Sequence, residues 1–408
     1  MGPSAAVALA LTLGGCRKPD LGGAGDGRFG VVGARDVRVL LVDGERDCRI
    51  RIDSRFTVRT RSGETRLSGG PVGWTTLAAG GRGVMLGDKS LGSGPVEIVP
   101  ERSGSIRLAG RDSGGWSADG RYPGILRVGV PDSRGLQVIN VVDIETYVAC
   151  VLPGELFPDF QREAYRAQAV AARTYVLFQM ARKASSEYDV DSSQRSQVYP
   201  GLPSGASADR AREAVQHTRG IVATWAAPGG ERIFCTYYSS CCGGTTQAVT
   251  NWRDDSELIP PLNGGVRCDC QSAAGGKRFF WGPVRLSAAD IAAKLPSQAA
   301  KVGRVDAIEI IDRTPVGRAK TLRLTGSDGR SVTMMSETFR LAVGSMKIRS
   351  THFTVRRDRD GFVFTDGRGF GHASGLCQWG MEAMARRGFD AGSILKHYYP
   401  GMHLTRVY

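Results

Sequence analysis

Two hydrophobic periods divide this chain. Up to about residue 142, apolar residues alternate with polar ones or fall in short runs. Examples are Val37-Arg-Val-Leu-Leu-Val42 and Cys48-Arg-Ile-Arg-Ile-Asp-Ser-Arg-Phe-Thr-Val58. A period of two sends successive side chains to opposite faces, so these segments predict strands separated by glycine-rich turns. Residues 124–130 and 136–142 read as a hairpin around Pro131-Asp-Ser-Arg-Gly135. The period then changes. Phe160, Ala164, Ala167, Ala171, Tyr175 and Phe178 recur at spacings of three and four, which predicts one long alanine-rich helix over 159–183. Asp159 is its expected N-cap, and Glu163 adds negative charge to the first turn.

Further along, the pattern predicts a helix over 207–217 and a strand over 232–238 that ends in the turn Cys242-Gly-Gly244. Residues 263–277 read as loop. A helix capped by Ser287 runs to 294, strands follow at 305–311, 321–324 and 332–335, and a short helix occupies 336–341. After a strand at 361–365 come a glycine-rich loop, a helix over 375–387 stopped by Gly388, and a last helix capped by Asp390. The fold class is α+β, a strand-rich mixed module. It is expected to have two lobes, a strand-rich one over 36–142 and a core over 143–408.

The first residues change the picture of where the chain resides. Residues 1–15 are apolar but too short for an ordinary membrane span, and Leu13-Gly-Gly15 precedes Cys16. This resembles a lipoprotein signal peptide with Cys16 as the lipidation site, followed by a flexible Gly-rich tether over 16–35. The expectation is an exported protein of the cell envelope, held to a bacterial membrane through an N-terminal lipid anchor. A cleaved signal with an incidental cysteine is the alternative. The net charge is +14, from 54 basic and 40 acidic residues. That excess suits polyanionic partners, but no dense basic run or nucleic-acid motif accompanies it, so nucleic acid is not expected as a partner.

Three groups of residues carry candidate chemistry. Glu155 lies in Val151-Leu-Pro-Gly-Glu-Leu-Phe-Pro158, read as a carboxyl on a Pro-Gly turn at the mouth of the long helix. Leu152, Pro153, Leu156, Phe157 and Pro158 offer an apolar wall that would raise its pKa, while the helix N-terminus and Arg173 would oppose that. The second group is Gly367-Arg-Gly-Phe-Gly-His-Ala-Ser-Gly-Leu-Cys-Gln-Trp-Gly380. His372 stands where a dinucleotide loop needs glycine and no βαβ unit surrounds it, so nucleotide binding is excluded. The third group is the cysteines. Cys241, Cys242, Cys268 and Cys270 offer four thiolates for a tetrahedral structural zinc. Disulfides are the competing reading in an oxidising compartment.

In order along the chain stand Ile144-Glu-Thr-Tyr-Val148, Gly154-Glu155, Ala167-Gln-Ala-Val-Ala-Ala-Arg-Thr-Tyr175, Ser196-Gln-Val-Tyr-Pro-Gly201, Tyr238-Ser-Ser-Cys-Cys-Gly-Gly-Thr245, Gly367 to Gly380 and Ile394-Leu-Lys-His-Tyr-Tyr-Pro-Gly401. Together they resemble the stage II sporulation protein D family (SpoIID/LytB). The resemblance implies a peptidoglycan lytic transglycosylase that cleaves between N-acetylmuramic acid and N-acetylglucosamine, with the helices arranged around a glycan cleft. Glu155 would be the single catalytic acid and base, and the product a 1,6-anhydromuramyl end. Gln168, Arg173, Gln197, Tyr199, Ser240, Gly369, Gly371, His372 and Gln378 would line the cleft, with Tyr199 stacking under a sugar ring and the glycines letting backbone approach the glycan. Ser239 and Ser240 stand where the family commonly has His-Ser, so that strand supplies no second proton carrier. Some family members carry zinc near this strand end. No cofactor is required for the chemistry. The partners implied are peptidoglycan glycan strands and a cell-wall amidase. The alternative function is a non-catalytic, peptidoglycan-binding enhancer of an N-acetylmuramoyl-L-alanine amidase. A zinc hydrolase is disfavoured, because an all-cysteine ligand set leaves no open coordination position.

Overall fold

The computed structural model describes residues 36–408, apart from 82, 102–103, 113–114, 117–119, 132–134 and 298. The signal segment, Cys16 and the tether lie outside the described residues. The fold is mixed α+β and strand-rich, with eight α-helices among the described residues. None of these helices is long and apolar enough to cross a membrane.

The N-terminal part is built from two sheets. One has seven strands and includes Asp36–Glu45, Leu136–Asp143, Ile125–Gly129, Val96–Pro100 and Phe56–Thr60; the other has six and is centred on Asp47–Ile52 and Val72–Gly80. Ile50, Leu77 and Ile106 of the second sheet share one buried cluster with Val58, Ile98, Leu126 and Val128 of the first. The alternating burial of these strands is the period-two pattern made physical. The single strand expected over 48–58 is two, Asp47–Ile52 and Phe56–Thr60, split at Asp53-Ser-Arg55 into different sheets. The 125–142 hairpin pairs antiparallel, Val128 opposite Val138.

Helix α1 (Ile144–Glu155) follows directly, capped by Asp143, whose carboxylate accepts from the amides of Glu145 and Thr146. Helix α2 (Arg162–Arg182) starts three residues after Asp159, with Gln161 at the N-cap and no side-chain cap bond. Its burial is wider than a stripe, with Ala164, Tyr165 and every residue from 167 to 177 buried. Alanine makes this feasible, because the helix packs at once against α1, α3 (Gly205–His217), the strand Ile221–Ala227, α7 (Gln378–Arg386) and α8 (Ala391–Tyr398). Residues expected as loop form α4 (Cys270–Phe279), a helix kinked at Gly275, where φ is 66°.

Residues 281–364 carry a third buried cluster. It includes Leu286, Ile291, Leu322, Leu324, Phe339, Phe353 and Phe364. It is assembled from two three-stranded sheets with α5 (Ala288–Lys294) and α6 (Ser336–Val343). Ser287 caps α5 by accepting from the Asp290 amide.

Candidate active site

Glu155 is the last residue of α1, not a turn residue at the mouth of α2. Pro153 lies within the same helix, and the helix ends where Leu156 turns extended. The carboxylate therefore sits at the negative end of the α1 dipole, which disfavours its ionised form. The side chain is half-buried. Its Oε1 accepts from the Val198 amide at 2.8 Å, and its Oε2 accepts from Gln378 Nε2 at 3.2 Å. Burial pushes its pKa above the ordinary carboxylate value. The bonds from Val198, Gln378 and the Tyr238 hydroxyl pull the other way without cancelling it.

The loop that supplies the Val198 amide is held by Gln197. Its Oε1 accepts from the Tyr147 hydroxyl at 2.9 Å, and its Nε2 donates to the Tyr238 hydroxyl at 3.1 Å. Gly154 lets the loop come close, because a Cβ there would meet the Val198 carbonyl oxygen at 2.7 Å. Gln197 is fully buried, so it orients the surroundings of Glu155 and does not present itself to a ligand.

Several expected cleft residues do other work. Arg173 is fully buried, and its Nη2 lies 2.6 Å from Glu145, not near Glu155; it also donates to the Ile221 carbonyl. The Tyr199 ring is buried, stacks on Tyr147 at 5.3 Å and donates to Asn140, so no face is left for a sugar. His372 uses both ring nitrogens inside the protein. Nε2 bonds the Tyr238 carbonyl at 2.9 Å, Nδ1 accepts from the Ser374 amide at 3.1 Å, and the ring stacks on Trp252 at 4.2 Å. Burial lowers its pKa to about 4, which leaves it uncharged near neutrality.

Gly369 and Gly371 have φ of 80° and 100°. They allow protein segments to close on each other. A Cβ on Gly369 would meet the Cys241 carbonyl oxygen at 2.6 Å, and one on Gly371 the Ser239 Cβ at 2.8 Å. Ser240 is half-buried, and its carbonyl accepts from the Trp379 amide at 3.0 Å. Gln168 is fully buried with neither amide atom hydrogen-bonded. It shares a helix face with Ala172 and Tyr175.

Two groups near Glu155 were not anticipated from sequence as site residues, the Val198 amide and Tyr238, while Phe157, expected as part of the apolar wall, belongs to an aromatic surface. Phe157, two residues beyond Glu155, is 43% exposed. Its ring lies 5.3 Å from Trp379, and Arg278 stands 5.1 Å over both rings. Two pockets lie elsewhere. One, of about 330 Å³, lies between α1 and α3, and one, of about 580 Å³, lies beside Cys268; neither includes Glu155.

The cysteines gather differently from the expected set. The sulfurs of Cys242, Cys268, Cys270 and Cys377 all lie within 4.8 Å of one another. Cys377, remote in sequence, completes this group in place of Cys241, although Cys241 Sγ is 3.5 Å from Cys270 Sγ. None of the described cysteines is in a disulfide.

Comparison with known proteins adds independent information. A family model described as stage II sporulation protein matches residues 132–225, which include Glu155, α2 and the 196–201 loop. A domain of unknown function (DUF8618) matches 269–375, which contains the third buried cluster. An uncharacterized protein of Brachyspira hyodysenteriae is 30% identical over 324 residues, covering 79% of this chain and 82% of the relative. Stage II sporulation protein D of Bacillus subtilis is 26% identical over 285 residues, 66% of this chain and 77% of the relative. The amidase enhancer of Bacillus subtilis is 26% identical over 298 residues, and the chain spans 40% of its length.

Proposed function

The chain belongs to the stage II sporulation protein D family, and on that premise we propose that it is a peptidoglycan lytic transglycosylase with Glu155 as its one acid and base. The observation that carries this reading is the state of Glu155. It is a half-buried carboxyl with a raised pKa, held by hydrogen bonds from the Val198 amide, Gln378 and the Tyr238 hydroxyl. An acid of that kind keeps a transferable proton at higher pH than an exposed glutamate.

Glycoside cleavage usually needs two carboxyl groups, one to protonate the leaving oxygen and one to act as nucleophile or to activate water. Here the muramyl C6 hydroxyl takes the second role. Glu155 gives its proton to the glycosidic oxygen as the bond to the muramyl C1 breaks. The C6 oxygen bonds to C1, and its proton returns to the carboxylate. No water is consumed and no cofactor is required. The exposed Phe157 ring offers an apolar face for a pyranose two residues from the acid, the role that Tyr199 is too buried to play. Gln378 and the Val198 amide keep the carboxylate aimed.

The setting that goes with this activity is the bacterial envelope, with glycan strands as substrate and export and lipid attachment through Cys16. The name of the amidase enhancer relative favours a second element, an amidase that acts on the same wall. Digestion of peptide-free glycan strands by the purified protein tests the proposal. Anhydromuramyl ends from the native chain and none from Glu155→Gln support it. Glycan binding by both forms without cleavage, together with stimulation of an added amidase, would select the non-catalytic role instead.

A further inference from the structure

Arg318 comes from the 281–364 unit and is 1% exposed. Its Nη2 donates to the Cys242 carbonyl at 2.6 Å, and its Nη1 reaches the Gly371 carbonyl at 3.3 Å and the Thr351 hydroxyl at 3.5 Å. None of these partners is a carboxylate. Glu337, the acid that acts on it from further off, is already bound to Arg340 at 2.5 Å. Burying a guanidinium without a counter-ion is unfavourable, so this arrangement calls for negative charge nearby. The groups placed to supply it are the cysteine sulfurs.

Those sulfurs are spaced for a metal. Tetrahedral bonds of about 2.3 Å put ligand sulfurs about 3.8 Å apart, whereas a disulfide needs about 2.05 Å. Cys242 Sγ and Cys270 Sγ are 3.8 Å apart. The group also has the outer partners that thiolates need. The Cys242 amide donates to Cys377 Sγ at 3.2 Å, and the Tyr398 hydroxyl lies 3.0 Å from Cys268 Sγ. Helix α7 carries Gly380 where a Cβ would come within 2.3 Å of Cys268 Sγ, so the absence of a side chain there lets the helix pass close to the sulfur. Cys268 is partly exposed and lines the open pocket of about 580 Å³, which gives an ion a way in.

We infer that Cys242, Cys268, Cys270 and Cys377 bind one divalent zinc-class ion as four thiolates, and that Arg318 supplies the compensating charge. On binding, the ion displaces four thiol protons to solvent. The centre carries a net charge of −2, and Arg318 reduces this to −1. The site joins three parts of the chain: the strand end at 238–242, the 268–270 segment and the start of α7. Arg318 fastens the 281–364 unit to it. The site is closed and structural, and it stands whether or not Glu155 cleaves glycans.

The test uses the full chain. Metal content is measured on the purified protein, which is then reloaded with Co²⁺ and examined for sulfur-to-cobalt charge-transfer bands. The expected result is one metal per chain and a tetrathiolate spectrum. Cys377→Ser should lose band intensity, and Cys241→Ser should leave the spectrum unchanged. Arg318→Met should keep the spectrum but weaken metal binding by about 10–100-fold, as loss of an outer partner does. A spectrum that changes with Cys241→Ser and not with Cys377→Ser overturns the ligand set, and unchanged affinity in Arg318→Met overturns the role of the arginine. A titration independent of variant folding adds a mercurial to the native metal-loaded chain in the presence of a chromophoric chelator. Release of one metal as four thiols react supports the site; reaction of the thiols without release rules it out.

Discussion

At the residue scale, the balance at Glu155 decides the chemistry. Burial and the α1 C-terminus favour the proton, and three hydrogen-bond donors favour the charge. Because the folded-state pKa is raised, the stability this group contributes is full below the ordinary glutamate pKa. It is lost as pH rises through the higher folded value. Glu155→Gln is neutral at every pH, so its melting temperature near neutrality should equal or exceed that of the native chain, while glycan cleavage falls by about 10²–10⁴-fold, the usual size of a general-acid effect. Gln378 lowers the Glu155 pKa by bonding its charged form. Gln378→Met should therefore move the alkaline fall-off of kcat/KM to higher pH, and an unshifted profile would remove Gln378 from the site. Arg173 makes the opposite case. It neutralises Glu145 in the core, so Arg173→Met should destabilise the chain by about 3–5 kcal/mol in denaturant titration without any specific change in KM.

At the element scale, the positioning of the site depends on contacts between segments. The end of α1 meets the 196–201 loop through Gly154, and adding a Cβ there would drive the Val198 carbonyl away. Gly154→Ala should lower kcat by displacing the Val198 amide from Glu155, with a smaller effect on melting temperature. Some of this was legible in sequence. Glu155 stands out as a carboxyl among apolar neighbours, and α2 follows from the spacing of its alanines. Gln378 lies in a segment whose composition marks it as unusual. The Val198 amide was not legible, because a backbone donor leaves no side-chain signature. Helix α1 was obscured by Pro153-Gly154, which read as a turn although the helix runs through both. Tyr199, His372 and the loop glycines had the residue types of a sugar site, but whether a tyrosine ring is open or stacked is set by partners far along the chain. His372, with its pKa held near 4 by burial, stabilises the fold above the ordinary histidine pKa. That contribution is lost as pH falls toward 4, so His372→Gln should flatten this part of the acid-denaturation curve.

At the scale of the whole molecule, three buried clusters among the described residues are joined by polar links such as Arg318 to the Cys242 carbonyl and Tyr199 to Asn140. The strand-rich part was readable from its period of two, since each strand needs only local alternation to be recognised. The 281–364 unit offered recognisable strands and helices, but its separate core depends on which sheets face each other. The exchange of Cys377 for Cys241 in the sulfur group has the same cause: proximity across the fold has no spacing rule. The charge of +14 suits an acidic wall polymer and remains consistent with the proposed setting. What distinguishes the catalytic reading from simple wall binding is the product. The most direct measurement is mass spectrometry of peptide-free glycan strands after incubation with the native chain and with Glu155→Gln. Fragments ending in 1,6-anhydromuramic acid from the native chain alone are the expected result. Reducing ends carrying an added water, or the same fragments from both proteins, would contradict a single-acid transglycosylase.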